Sequence, residues 1–390
     1  MFYLGIDIGK FNHAAALMDQ RGKVFATLSS FPNTRGGFQK LLPLIRSHLP
    51  QQEELRVGME ATGPYWIPLA EWLKTHGWTA VILNPIKTAS LRNYGIRGSK
   101  TDNIDSVLIA NTLRIEGEQP QPAFPKLSEE LRHFTRLRAE MTKDRTRLAL
   151  RMTSVMDRLF PELLSSFSKT ISPSCLALLC AAPTPRKVLA LGDEKLSALL
   201  HKVSGGKLKA TRVWEIMNKA TESIGVPSQA MEEVLALLLE QINLINSQLK
   251  MVDRRITKLY KQAGVYFTSI GGVGTLSAAT MLAEFGSVTR FTRAEQMVAF
   301  AGVDPKLRNS GKHQGQVHIS KRGPRYLRRA LYLACQGVVR NDDYFHSIYQ
   351  HYRDKGKSYK EAIIAVVNRL IHVLYAMWRD NRPYYPLTQA

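Results

Sequence analysis

The stretch KTDNID, residues 100–105, carries two aspartates, Asp102 and Asp105, three positions apart at the head of an apolar-periodic run, TDNIDSVLIANTL. On a helix that spacing sends both side chains out of one face. Asp7 lies in GIDIGK, an alternating run in which Ile6 and Ile8 share one side of a strand and Asp7 takes the other. Glu60 ends a further strand-like run in GMEATG. Carboxylates gathered from strand ends and a helix repel one another unless a divalent cation lies among them, and an all-oxygen set suits Mg2+ or Mn2+. Two such ions about 4 Å apart would clamp a scissile phosphate by its attacking and leaving oxygens. Each acid also has a plainer use. Asp7 could be a polar strand-end residue, Glu60 could close a loop, and Asp102 and Asp105 could be a helix cap and a first-turn acid.

A second chemical group is Ser310, in RNSGK between Arg308 and Lys312. A serine hydroxyl is a weak nucleophile, and flanking cations with a metal-bound phosphate would favour its alkoxide. Loop serines beside glycine are also common for purely local reasons. Ser320, in HISKRG, reads instead as the cap of the helix in PRYLRRALYLAC. From Pro305 to Arg340 there are nine lysines and arginines and no acid. Arg308, Lys312, Lys321, Arg322, Arg325, Arg328 and Arg329 are accordingly candidate phosphate contacts. Upstream, SIGGVGTLSAATMLAEFG places Gly272 and Gly274 in a turn before a helix, the arrangement of a helix-hairpin-helix. There a bare glycine lets backbone N–H groups approach a phosphate. A tight turn between two helices with no ligand is the alternative.

The whole chain supplies the field in which these groups act. Its 390 residues hold 54 Lys and Arg against 32 Asp and Glu, a net charge of +22 that points to nucleic acid as partner. Three cysteines without a CxxC pair encode neither a disulfide framework nor a zinc site. No basic leader precedes the first strand, and no uninterrupted apolar run reaches membrane-span length, so the expectation is a cytoplasmic, nucleoid-associated protein with no membrane partner.

The elements that must position the acids read as β-β-β-α-β-α-β-α over the first 115 or so residues, an α/β layout with an antiparallel meander first. The proline-rich EGEQPQPAFPKLSEE breaks this pattern and marks a domain boundary. Beyond it, Leu131, Phe134, Met141, Leu148, Met152, Val155 and Leu159 form an imperfect heptad helix with Arg138 and Arg145 in its two missing seam positions. A cleaner heptad runs through Leu235, Leu238, Ile242, Ile245, Leu249, Val252, Ile256 and Leu259. An antiparallel pair within the chain, a dimer seam and two ordinary bundle helices all fit this pattern. Residues 165–227 read as a small helical insert, the chain from 264 as mostly helical, and NRPYYPLTQA as a disordered tail.

With GIDIGK, MEATGPYW, NP at 84–85, KTDNIDS, SIGGVG, FAGVDP, RNSG and SKRGPRYLRRAL in this order, the sequence resembles the DEDD transposases of bacterial insertion-sequence family 110, which include the Piv-type DNA invertases. The resemblance spans nearly the whole chain. It implies α/β plus α architecture: a RuvC-like domain of ribonuclease-H fold (1–120), coiled-coil helices (127–262, with the insert at about 165–227), and a helical transposase domain with a helix-hairpin-helix and serine loop (263–380). It also implies that Asp7, Glu60, Asp102 and Asp105 are a metal-binding tetrad for Mg2+ or Mn2+, and that Ser310 is a nucleophile forming a phosphoserine link to DNA. The implied partners are double-stranded DNA, a guide (bridge) RNA, and further copies of the chain in a dimer or tetramer sharing the active site. The insert is longer than in shorter members of the family. The rival readings are a junction-resolving endonuclease using water on the same tetrad, an actin-like or sugar-kinase ATPase read from GIDIGK, and an architectural DNA binder.

Overall fold

The computed structural model describes residues 1–49, 54–60, 63–83, 102–116, 125–207, 210–306, 309–310, 313–314 and 318–386. It comprises two compact units, Met1–Ala123 and Phe124–Ala390. The expected NP at 84–85 falls outside the described residues.

In the first unit, β1 (Phe2–Ile8), β2 (Asn12–Asp19) and β3 (Val24–Pro32) form the antiparallel meander. After it, β4 (Leu55–Glu60) joins β1 in parallel and β5 (Ala80–Leu83) joins β4, giving the order β3-β2-β1-β4-β5. This mixed five-stranded sheet is consistent with a ribonuclease-H-like domain. Strand β1 is central and buried on both faces. Its Leu4, Ile6 and Ile8 pack with Leu41, Ile45, Leu69 and Leu73 of the helices on one side. Tyr3, on the alternate face, packs with Ile109, Ala110 and Leu113 of α4 (Asp102–Glu116) on the other. The helix expected from Thr34 is instead two short ones, α1 (Arg35–Gln39) and α2 (Leu41–Arg46). Pro43 explains the break, because it has no N–H for the Gln39 carbonyl and its ring would collide with that carbonyl in a continuous helix. The remaining helix, α3 (Ile67–Thr75), lies between β4 and β5.

In the second unit, α5 (Lys126–Leu159) and α9 (Gln229–Gln262) lie antiparallel against each other. The two seam arginines find partners across this contact. Arg138 donates to Asp253 at 2.5 Å and Arg145 to Asn246 at 3.2 Å. The insert is helical: α6 (Pro173–Ala181), α7 (Pro185–Ser204) and α8 (Ala210–Thr221) enclose one apolar core with the C-terminal half of α5 and the N-terminal half of α9. A second core gathers α10 (Thr275–Phe285), α11 (Ala294–Ala301), α12 (Arg325–Asn341), α13 (Asp343–Asp354) and α14 (Tyr359–Arg379) around the other ends of α5 and α9.

Helix α14 is long and apolar enough to cross a membrane, although Lys360, Glu361 and Arg369 interrupt its apolar run. Half of its apolar window is buried, with Val366, Leu370, Ile371 and Leu374 in the second core. One expectation needs correction: the tail is ordered through 386, where the Tyr384 N–H donates to Ser269 Oγ at 2.8 Å and its ring lies 6.2 Å from that of Phe345.

Candidate nucleic-acid-processing site

The placement of the acids begins at Gly5. A Cβ there would lie 2.2 Å from the Ser106 carbonyl oxygen and 2.3 Å from the Ala110 nitrogen, so α4 rests its backbone directly on β1. Gly58 is the register partner of Gly5 on β4, and its Cβ would meet Leu113 and Ile109 of the same helix at 3.2 and 3.6 Å. Side chains two residues apart on a strand share a face, so Asp7 and Glu60 continue the α4-facing side of β1 and β4 beyond these two glycines. Asp105, buried, immediately precedes the Ser106 that sits on Gly5. Asp7 and Glu60 thus lie at the carboxyl ends of two neighbouring interior strands, on the face that α4 covers, and Asp105 lies on that helix. Asp102 begins α4 one turn earlier, and its side chain lies outside the described residues. Among the described residues, no group of three or more His, Cys, Asp or Glu is close enough to be counted a cation cage. What the fold shows is a shared face at the carboxyl ends of β1 and β4.

A buried imidazole that the sequence reading missed lies under the same sheet. His13, paired with Ile8, packs edge-on to Phe31 at 5.3 Å and stacks on Phe38 at 6.1 Å. The Gly9 N–H donates to its Nδ1 at 3.3 Å, and Nε2 is buried with no directed partner among the described residues. Burial pushes its pKa below the usual histidine value, against a smaller opposing pull from Asn33. The unbroken apolar run that follows it in NHAAALMD could have flagged a buried histidine.

The serine loop, in the second unit, is a nested hairpin. The outer strands are β6 (Pro305–Lys306) and β9 (His318–Ile319), and the inner ones β7 (Asn309–Ser310) and β8 (His313–Gln314). The register sets Ser310 opposite His313, a residue the sequence reading had not singled out. Arg308 and Lys312 fall outside the described residues. Beside the loop, a cleft of about 930 Å3 is lined by Val303, Ile319, Tyr332, Tyr352, Lys360 and Arg369 among others.

The basic set divides on inspection. Lys321, Arg322, Arg325 and Arg329 are exposed. Arg328 is turned inward, donating to the Gly323 and Ala301 carbonyls. Burial holds its pKa below the usual guanidinium value. Ser320 does not cap α12, whose N-cap is Pro324; its hydroxyl donates to Asp304 Oδ1 at 2.5 Å. Of the two candidate glycines, Gly272 has φ +92°, and its Cβ would lie 2.3 Å from the Gly337 carbonyl carbon, so close packing on α12 accounts for the absence of a side chain. Gly274, the N-cap of α10, has open space around it.

A cluster with no counterpart in the sequence reading closes the far end of α10. Glu284 is buried and accepts both guanidinium bonds of Arg136 at 2.8 Å. Ser128, Arg132 and Arg290 donate to the last carbonyls of that helix, those of Gly286, Ala283 and Phe285. Burial pushes the Arg132 guanidinium down to about 10.

A ribonuclease-H-like sheet with acids at the carboxyl ends of its strands, joined to a basic helical unit, defines a class of proteins that act on nucleic acid. Residues 4–161 match the family model of the DEDD transposases of the IS110 type, and residues 265–350 match that of the transposase IS116/IS110/IS902 family. The chain belongs to this transposase family. It is 26% identical to the insertion element IS116 uncharacterized 44.8 kDa protein of Streptomyces clavuligerus, over 100% of this chain and 98% of that one. It is 24% identical to the pilin gene-inverting protein of Moraxella bovis, over 98% and 97% of the two chains. With the insertion element IS900 uncharacterized 42 kDa protein of Mycobacterium paratuberculosis it shares 27% identity over 74% of each.

Proposed function

We propose that this transposase is a site-specific DNA recombinase in which Asp7, Glu60, Asp102 and Asp105 hold Mg2+ or Mn2+ and Ser310 attacks the scissile phosphate. The observation that supports the reading is the Gly5 contact, which sets α4, the helix of Asp102 and Asp105, against the strands that end in Asp7 and Glu60. An all-carboxylate set at the ends of neighbouring strands fits a hard divalent cation, and the fourth acid, at i−3 from Asp105, belongs to the same helix face. When bound, the cation would neutralise developing charge on the phosphate.

The serine oxygen bonds to phosphorus as the P–O bond to one sugar breaks. His313, its register partner, is the candidate to take the hydroxyl proton, and the leaving sugar oxygen gains a proton. The phosphoserine ester conserves the bond energy, so attack by another sugar hydroxyl rejoins the strand and frees the serine. The domain scheme of the sequence reading is proposed with it: RuvC-like domain, coiled coil with insert, and transposase domain carrying a helix-hairpin-helix at Gly272–Gly274. Exposed Lys321, Arg322, Arg325 and Arg329, with Arg308 and Lys312, are proposed to hold the DNA backbone, and a guide RNA to select the sites. The assembly is a dimer or tetramer, with the acids of one protomer serving the serine of another. A relative named as a gene-inverting protein supports recombination over simple cutting.

The test is a denaturing gel of protein incubated with labelled element-end DNA. Wild type should give a protein–DNA adduct that Ser310→Ala abolishes. Strand exchange by Ser310→Ala at near wild-type rate would leave water on the same acids, a junction-resolving endonuclease, as the better account.

A further inference from the structure

We propose that the cleft lined by α12, α13 and α14, beside the serine hairpin, receives an unstacked base of single-stranded DNA. The inference rests on the reading above in taking DNA as the substrate, and its test reads binding alone, so that an error in the assigned nucleophile leaves it standing.

Helix α14 divides its residues between two surroundings. Ile363, Val366, Leu370 and Ile371 pack into the second core. Lys360, Ile364, Asn368 and His372, four apart and therefore on one stripe of the helix, line the cleft instead. Tyr332 of α12, with Ile348 and Tyr352 of α13, adds to its walls. Val303 and Ile319, at the two ends of the hairpin that holds Ser310, border it as well. Its volume of about 930 Å3 is in the range of small-ligand sites.

An apolar groove alone says nothing of its occupant, but the polar and charged groups of this one do. Asn368 and His372 are half-buried, and among the described residues neither side chain makes a hydrogen bond. An amide and an imidazole left in this way offer donors and acceptors to the edge of a planar ring. The half-buried Tyr332 and Tyr352 suit stacking, which serves any base. Lys357, Lys360 and Arg369 are exposed and face only one acid of the lining, Glu361. That carboxylate is already engaged by the Ser358 N–H at 2.8 Å, and Arg369 is held in place by its bond to the Tyr344 hydroxyl. Apolar, aromatic and amide groups within, and cations at the exposed margin, match a nucleotide with its base inside and its phosphate outside. A duplex keeps its bases stacked and would meet the cations alone, whereas a single strand satisfies both zones. Single strands of DNA arise where cut strands exchange, which is at the hairpin this cleft borders.

The test uses the full chain, stripped of nucleic acid and without Mg2+ so that no strand is cut, and an oligothymidylate of about 12 nucleotides carrying one 5-iodouracil. Irradiation should crosslink that base to Tyr332 or Tyr352, as peptide mapping reads, and the same strand in a duplex should give no such product. Tyr352→Leu should weaken binding, followed by fluorescence anisotropy, by roughly tenfold, and Tyr352→Trp should restore it, because stacking needs a ring where packing needs only volume. Lys360→Gln should lower the slope of log affinity against log salt by roughly 0.7, the contribution of one phosphate contact, and Tyr352→Leu should leave that slope unchanged. Crosslinks found only outside the cleft, wild-type affinity in Tyr352→Leu, or a loss that tryptophan does not relieve would each overturn the proposal. Crosslinks formed only with the matching RNA strand would also overturn it, giving the cleft to RNA.

Discussion

Replacing Gly5 with alanine tests the placement of the acids without touching any of them. The new methyl carbon would start 2.2 Å from the Ser106 oxygen and 2.3 Å from the Ala110 nitrogen, both backbone atoms that no rotamer change can move. An ordinary carbon–oxygen contact is near 3.4 Å, so α4 must withdraw from β1 by roughly 1 Å. Overpacking of this kind costs about 1–3 kcal/mol, a loss visible as a lower urea midpoint. The larger effect should be on chemistry, because the shift carries Asp102 and Asp105 away from Asp7 and Glu60. A displacement of about 1 Å in a reacting constellation costs on the order of 100-fold in rate. The assay is strand exchange on element-end DNA at a temperature where circular dichroism shows the variant folded. The stabilisation by Mg2+ read from melting curves should fall in parallel. Gly58→Ala meets the movable end of Leu113 at 3.2 Å and Gly36→Ala meets nothing, so they should show a milder effect and none. Wild-type exchange and wild-type Mg2+ stabilisation in a folded Gly5→Ala protein would refute the role given to α4.

Three further outcomes are expected. Gly272→Ala, with φ +92° and a backbone clash, should destabilise the second unit by about 2 kcal/mol or more, whereas Gly274→Ala should leave the melting temperature unchanged and weaken DNA binding if a phosphate approaches there. Glu284→Gln strips the charge from a buried side chain that pairs with Arg136, and since Arg136 is 44% exposed the loss in urea unfolding should be about 2–3 kcal/mol, short of that for a fully buried pair. His13 has a lowered pKa in the fold, so the unfolded chain binds its proton more readily. The stability it supports is complete above about pH 6.5 and is lost as pH falls toward the folded value, by at most about 1.4 kcal/mol per pH unit. His13→Phe should flatten that part of the stability–pH profile, and parallel profiles would show the ring to be irrelevant.

The sequence by itself determined whatever depends on neighbours along the chain. Period-two alternation set out the strands, 3.6- and 3.5-residue recurrences set out the long helices, and the Asp102–Asp105 spacing put two acids on one helix turn. These signals are local, because a strand or helix face is defined by residues two to four apart. Tertiary structure decided what depends on residues far apart. Gly5 looked like any strand glycine until α4 lay on it, and Glu284 like a surface acid until Arg136 reached it across 148 residues. Arg328 and Ser320 likewise belonged to plausible sequence patterns, but the turn near Gly302 and Asp304 offered them better partners than phosphate or a helix cap. Burial and pairing arise only when distant segments meet, and no spacing along the chain encodes which segments those are.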